Sequence, residues 1–217
     1  MVFIFLKHDE IIIKIFFINT ISTIFVIRIV LNMKNNNPIK TTSLDYAILG
    51  LVHQQPMSGY GIRKEFELTA IGNYSSSPGA IYPALKRLGK FELVQNRPDK
   101  EDGKNKFYCT NLGKEVLIEW VSQPLTLKDV AQIMDELLLR FSFMDALVGK
   151  EKALLFLTSF RDLSKAYLKE IQEYHHNQYD SLPLHGRLAL EYGIETYKTT
   201  YKWCKNAITV ITKNTSL

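Results

Sequence analysis

Two serines, a phenol and a row of cations lie close together between residues 76 and 106, and their types suit contact with a polyanion. Ser76 and Ser77 precede Pro78, and Tyr82, Lys86, Arg87 and Lys90 follow. A helix opening at Ser77 puts Tyr82, Lys86 and Lys90 opposite Ile81, Ala84, Leu85 and Leu88, so one face packs while the other is free. Serine hydroxyls and the first amides of that helix suit a phosphate. Tyr82 can bond a phosphate or a base edge, and Lys86 can neutralise a phosphate or approach guanine. Further along, Arg97, Lys104 and Lys106 alternate with Asp99, Glu101 and Asp102. Lys104 and Lys106 share strand parity and point the same way, so they are the cations expected to face a partner. Taken singly, Lys86 and Arg87 read equally well as solvated helix charges, and Tyr82 as a packing residue.

Other chemistry has little support. His175 and His176 stand beside Glu173, but adjacent helical residues point to different faces and cannot chelate as an i, i+4 pair does. No nucleophile elbow, phosphate loop or HExxH word occurs. Cys109 and Cys204 are far apart without metal-ligand spacing. The expectation is therefore a non-enzyme with no metal and no cofactor, in a reducing cytoplasm.

The elements that must position these residues follow from caps and apolar spacing. Ser43–Gln54 opens on a capping residue and carries Leu44, Ile48, Leu51 and Val52 as one buried stripe. Ser58 caps a second helix to about Ala70, with Tyr60, Ile62, Phe66 and Leu68 as its apolar contacts. Ser77 and Pro78 are a strong start for the third, which runs to Lys90. Pro83 inside it should bend the helix or expose the carbonyl of Gly79. Leu93–Arg97 and Lys106–Thr110 read as strands of a hairpin, followed by a helix from about Leu112 to Val121. This is the order of a winged helix. Beyond it, helices are expected over Leu127–Val148, Lys150–Tyr179 and Leu184–Lys213, broken at Gly149 and near Pro183, and long enough to need one another or a second chain.

Bulk charge contributes little to this reading. The net +5 divides into +3 for residues 1–42, +1 for 43–123 and +1 for 124–217, so local placement carries the electrostatic argument. The expected domains are an N-terminal extension over 1–42, a DNA-binding unit over 43–123 and a helical unit over 124–217. Residues 11–31 are long and apolar enough to cross a bilayer, with Lys14 and Arg28 near the ends. The expectation is nevertheless that translation starts at Met33, because fifteen of the first thirty-two residues are Ile or Phe, as read-through of A/T-rich DNA would give.

Four words within 43–117 closely resemble the PadR family of bacterial transcriptional regulators: SLDYAILGLV from Ser43, MSGYGIRKEF from Met57, SPGAIYPALKRL from Ser77 and KFYCTNLGKEVL from Lys106. DELLLRFSFMDAL from Asp135 and LALEYGIETYKTTYKWC from Leu188 resemble its helical C-terminal domain. The resemblance covers about residues 43–212 and leaves the apolar N-terminus outside. It implies a mainly α fold with a small β-hairpin wing, in which an N-terminal winged helix-turn-helix precedes a C-terminal α-helical dimerisation domain. It also implies a homodimer that represses by binding double-stranded DNA at an inverted repeat, released by a small, often aromatic effector, with no membrane partner. Trp120, Phe141 and Trp203 could line the effector site, although aromatics at helical spacing are more often core. The family usually carries a glycine just before the first wing strand, where this chain has Phe91-Glu92. Glu92 must then adopt a strained conformation or the helix must end earlier, with Gly89 available. The competing reading is a winged helix that has lost DNA binding and acts through protein contacts, anchored at a membrane by residues 11–31.

Overall fold

A computed structural model describes residues 41–68 and 77–213 of the chain. The apolar stretch at 11–31 and the expected start at Met33 lie outside the described residues. No described helix is long and apolar enough to cross a membrane.

Helix α1 (Ser43–Gln54) is capped one residue earlier than expected. Thr42 is the N-cap, and it forms a reciprocal box with Asp45, whose carboxylate accepts from the Thr42 amide at 2.8 Å. Asp45 stands three residues after Thr42, the spacing such a box requires. Ser43 is left free for other work and donates to Glu136. The helix is also more enclosed than one stripe implies: Ala47 through Val52 are all buried, because α1 is packed by the later helices and the hairpin around it.

Helix α2 (Gly59–Leu68) is held at its start by Ser58, whose hydroxyl accepts from the Gly61 amide at 3.1 Å. Of its expected apolar contacts only Ile62 and Phe66 are buried; Tyr60 is 61% exposed and Leu68 is exposed as well. Helix α3 (Pro78–Lys90) buries Ile81, Ala84, Leu85 and Leu88, the face expected. It continues through Pro83, and Gly79, whose carbonyl the proline leaves unbonded, is exposed where water can serve it.

The chain leaves α3 through a Schellman turn. The Leu93 amide donates to the Leu88 carbonyl at 2.9 Å and the Glu92 amide to Gly89 at 3.0 Å. Glu92 occupies the left-handed position of that turn, with φ 58°. The strained alternative is therefore the one adopted, and Gly89 does not stop the helix.

Strands β1 (Val94–Pro98) and β2 (Asn105–Cys109) pair antiparallel, with Val94 opposite Cys109 and Arg97 opposite Lys106. They sit one residue away from the expected spans, since Leu93 is part of the turn and Thr110 caps the next helix, α4 (Asn111–Val121), by accepting from Gly113 at 3.0 Å. Gly113 is required there. A Cβ on it would lie 2.2 Å from the Leu93 carbonyl oxygen, so this close approach fastens the wing to α4. A further amide bond, from Phe107 to the Met57 carbonyl at 2.9 Å, ties β2 to the start of α2.

The helical region holds α5 (Leu127–Gln132), α6 (Met134–Gln178) and α7 (Leu184–Lys213). The expected helix over 127–148 is split at Ile133, with φ −132° and ψ 37°; no glycine or proline marks that break. The expected break at Gly149 is present inside α6, with φ 76° and ψ 177°. Helix α7 returns antiparallel along α6, so that Tyr167 meets Tyr197 and Phe160 meets Trp203. One cluster of buried side chains runs from Ile48 through Leu88 and Leu117 to Leu137 and Phe160.

Candidate nucleic-acid interface

The outer face of α3 carries no carboxylate between Pro78 and Lys90. Tyr82 is 53% exposed, and its ring lies against Gly59, where a Cβ would come within 2.8 Å of it. Glycine at 59 thus lets the start of α2 support the phenol. Lys86 and Lys90 are exposed one and two turns further on and have no ion-pair partner among the described residues. Ser77 is the N-cap and its carbonyl accepts from Ala80 and Ile81; Ser76 lies outside the described residues.

Arg87 differs from its neighbours. Its guanidinium forms a two-point pair with Asp45, Nη2 to Oδ1 at 2.8 Å and Nε to Oδ2 at 3.4 Å. Asp45 is only 2% exposed, so a buried carboxylate is neutralised by this arginine and by the Thr42 donors. The pair fixes α3 to α1 and takes Arg87 out of the row of available cations.

The wing is organised around Asp99. Its carboxylate accepts from the Tyr108 hydroxyl at 2.6 Å and the Glu101 amide at 3.0 Å, and lies 3.2 Å from Lys106 Nζ. The Tyr108 hydroxyl, first, and the Glu101 amide hold the carboxyl at a pKa of about 2. The same contacts raise the Lys106 pKa, chiefly through its bond to Asp99, and that of Tyr108, again through Asp99. Lys106 also meets Asp102 at 3.5 Å. Arg97 lies opposite Lys106, and its charge is placed over the Tyr108 ring at 4.1 Å. Gly103, at φ 67°, turns the tip. Lys104 follows it with its side chain exposed and its backbone bonded to Asp99 and Asp102. Lys104 and Lys106 therefore share parity but differ in availability.

The wing organisers that the sequence reading missed are Asp99 and Tyr108. Their nine-residue separation gave no local signal, although hairpin pairing brings them to one face. Tyr60, read as a packing residue, is instead an exposed ring beneath Arg63; the polar series Tyr60, Arg63, Lys64, Glu67 at helical spacing was the available sign.

The aromatic residues expected around an effector do not converge as a trio. Phe141 and Trp203 meet edge-to-face at 5.6 Å. Trp120 is 2% exposed and stacks on Tyr46 at 4.4 Å, with its indole N–H donating to Glu136 at 3.3 Å. A cavity of about 320 Å³ lies nearby, lined by Val121, Leu125, Met144, Leu155 and Phe156 with Lys152. Beside it the buried Arg140 donates to the carbonyls of Gln123 and Val121 and rests on the Phe156 ring. His175 faces Glu191 across the α6–α7 hairpin at 3.5 Å.

A capped helix pair, a two-faced third helix with a carboxylate-free surface, and a hairpin fastened behind it define a winged helix-turn-helix followed by a helical region. Residues 48–119 match the model of the Transcriptional regulator PadR-like family, and residues 133–212 match that of Virulence activator alpha C-term. Residues 48–119 thus carry a PadR-like domain, the domain of a family of transcriptional regulators. It is 26% identical over 181 residues to a protein named negative transcriptional regulator PadR from Bacillus subtilis (strain 168), covering 79% of this chain and 98% of that one. It is also similar to crystal structures of Bacillus subtilis PadR. One, in complex with operator DNA, is 24% identical and covers 78% of this chain and 99% of that one, with a TM-score of 0.35. Another, in complex with p-coumaric acid, is 25% identical over 81% and 98%, with the same score.

Proposed function

We propose that this chain is a cytoplasmic transcriptional repressor that binds an inverted-repeat operator as a homodimer and is released by a small molecule. The observation that carries the DNA-binding part is the α3 surface, where Tyr82, Lys86 and Lys90 stand exposed with no carboxylate among them. Laid in the major groove, that face contacts bases and flanking phosphates, with the Ser76–Ser77 approach to α3 on the backbone. Lys104, with Arg97 on its tyrosine support, is the wing's contact with the neighbouring phosphates. Lys106 and Arg87 serve by shaping the surface. Residues 43–123 thus bind DNA, and residues 124–217 dimerise and sense.

A second copy is supported by α7, which exposes Leu184, Leu188, Tyr192 and Val210. Likeness to a negative regulator, to an operator complex and to a complex with an aromatic acid supports the repressing sign and an effector of that size. Phe141 and Trp203, with the cavity beside Phe156, are where it would bind.

A mobility shift on the DNA upstream of the chain's own gene tests this reading. Lys86→Ala combined with Lys104→Ala is expected to weaken binding and flatten its salt dependence by about two. Unchanged affinity and slope would remove these residues from the interface, and absence of any shift with the wild-type chain would favour a protein-interaction module.

A further inference from the structure

We propose that Glu136, in the first turn of α6, is a positioning residue for operator binding: through Ser43 it holds α1, and through Asp45 and Arg87 α1 holds the recognition helix. The proposal rests on the DNA-binding reading above and adds a route by which the helical region sets the pose of α3.

Glu136 serves two elements of the winged helix at once. One carboxylate oxygen accepts from Ser43 Oγ on α1, and the other from the indole N–H of Trp120 on α4 at 3.3 Å. Trp120 in turn stacks on Tyr46 of α1, with rings within 4° of parallel. A second contact lies further along the same pair of helices, because Gly50 of α1 receives the Phe143 ring of α6 where a Cβ would be only 2.4 Å away. Ser43 to Gly50 and Glu136 to Phe143 are equal steps of seven residues. Helices α1 and α6 therefore run side by side in the same direction for about two turns, roughly 10 Å, and are closed at both ends of that stretch.

On its other side α1 holds α3. Asp45 is two residues from Ser43, is buried, and grips the Arg87 guanidinium at two points. Its remaining acceptor capacity is taken by the Thr42 amide and hydroxyl at 2.8 and 3.0 Å, so the N-terminus of α1, the latch to α3 and the latch to α6 share one turn of helix. Lys86, exposed on α3, immediately precedes Arg87. A shift of α6 against α1 must break the Glu136 bonds or carry α1, and α1 cannot move without breaking the Arg87 pair or carrying α3. Close-packed helices of this kind change between discrete arrangements rather than deforming smoothly. The coupling is reciprocal, so DNA held on α3 must also be felt at Glu136 and Trp120.

The test uses the full chain and a duplex from upstream of its own gene. Glu136→Gln removes the charge and leaves Ser43, whose hydroxyl must turn to accept from the new amide, and Trp120 with weaker neutral bonds. It is expected to weaken duplex binding roughly five- to tenfold, with Tm little changed and the salt slope unchanged, since no phosphate contact is lost. Ser43→Ala should give a smaller loss of the same kind, and adding Asp45→Asn to Glu136→Gln should give no loss beyond that of Asp45→Asn alone. The indole N–H resonance of Trp120, one of two in the chain, is expected to move when duplex is added to the wild-type protein; this measurement decides the matter if Asp45→Asn does not fold. The proposal is overturned by a folded Glu136→Gln chain with wild-type affinity, by multiplying losses in the double variant, or by an unmoved Trp120 resonance at saturating duplex. A wild-type chain that binds no duplex overturns the DNA-binding reading itself, and is recognised before any variant is made.

Discussion

The recognition helix and the wing carry similar numbers of cations and differ in where their carboxylates stand. On α3, Lys86 and Lys90 extend from a surface with no carboxylate, and only Arg87 is tied down, to a carboxylate of another helix. In the wing, Asp99 and Asp102 hold Lys106 and Tyr108 supports Arg97, while Lys100 and Lys104 at the tip are exposed without an ion pair among the described residues. A cation already paired gains less from a phosphate, because one partner is exchanged for another. Availability rather than charge count therefore separates the reading surface from its scaffold. The nearly neutral balance of residues 43–123 is compatible with DNA binding for that reason: no carboxylate stands on α3, and Asp45, Asp99 and Asp102 are paired with Arg87 and Lys106.

This contrast can be broken most forcefully at the joint between the two regions. Gly113→Ala places a methyl 2.2 Å from the Leu93 carbonyl and should cost about 3 kcal/mol, loosening the wing against α4 while α3 keeps its buried face. Chemical denaturation measures the loss, and a cost near zero would show that the wing is not fastened there. Glu92→Gly relieves the left-handed backbone at φ 58° and should stabilise the chain by about 1 kcal/mol. A higher Tm checks it, and a lower one would mean that the Glu92 side chain contributes more than its backbone costs.

Acid reaches the wing through its organising carboxylate. The Asp99 carboxyl is depressed from an ordinary 3.8 to about 2 in the folded chain. Its contribution to stability is therefore fully present above the unfolded value and is lost as pH falls through the folded one. Between about pH 4 and 2, amide resonances at the wing tip should shift as Asp99 takes up its proton. Asp99→Asn should abolish that step, and a wing tip that moves equally in the variant would deny Asp99 its organising role.

Much of this arrangement was legible from local pattern. Ser77-Pro78 gave the start of α3, the alternation of Ile81, Leu85 and Leu88 gave its buried face, and Phe91-Glu92 identified the strained turn before the wing. Gly149 marked the break in α6. What escaped were contacts between distant residues. Arg87 looked like its neighbour Lys86, because nothing near it in sequence announces Asp45. Lys106 looked like Lys104, since parity fixes a direction but not a partner. Ile133 breaks its helix without a glycine or proline, and Trp120 proved to be a packed core ring bonded to Glu136 rather than a companion of Phe141 and Trp203.

The most direct test of the difference between the two regions is the salt dependence of duplex affinity for the wild-type chain, Lys86→Ala and Lys106→Ala. Lys86→Ala should weaken binding and reduce the slope of log affinity against log salt by about one, whereas Lys106→Ala should leave the slope unchanged and lower the stability of the wing. A slope lost with Lys106 and kept with Lys86 would contradict the assignment of reading surface and scaffold.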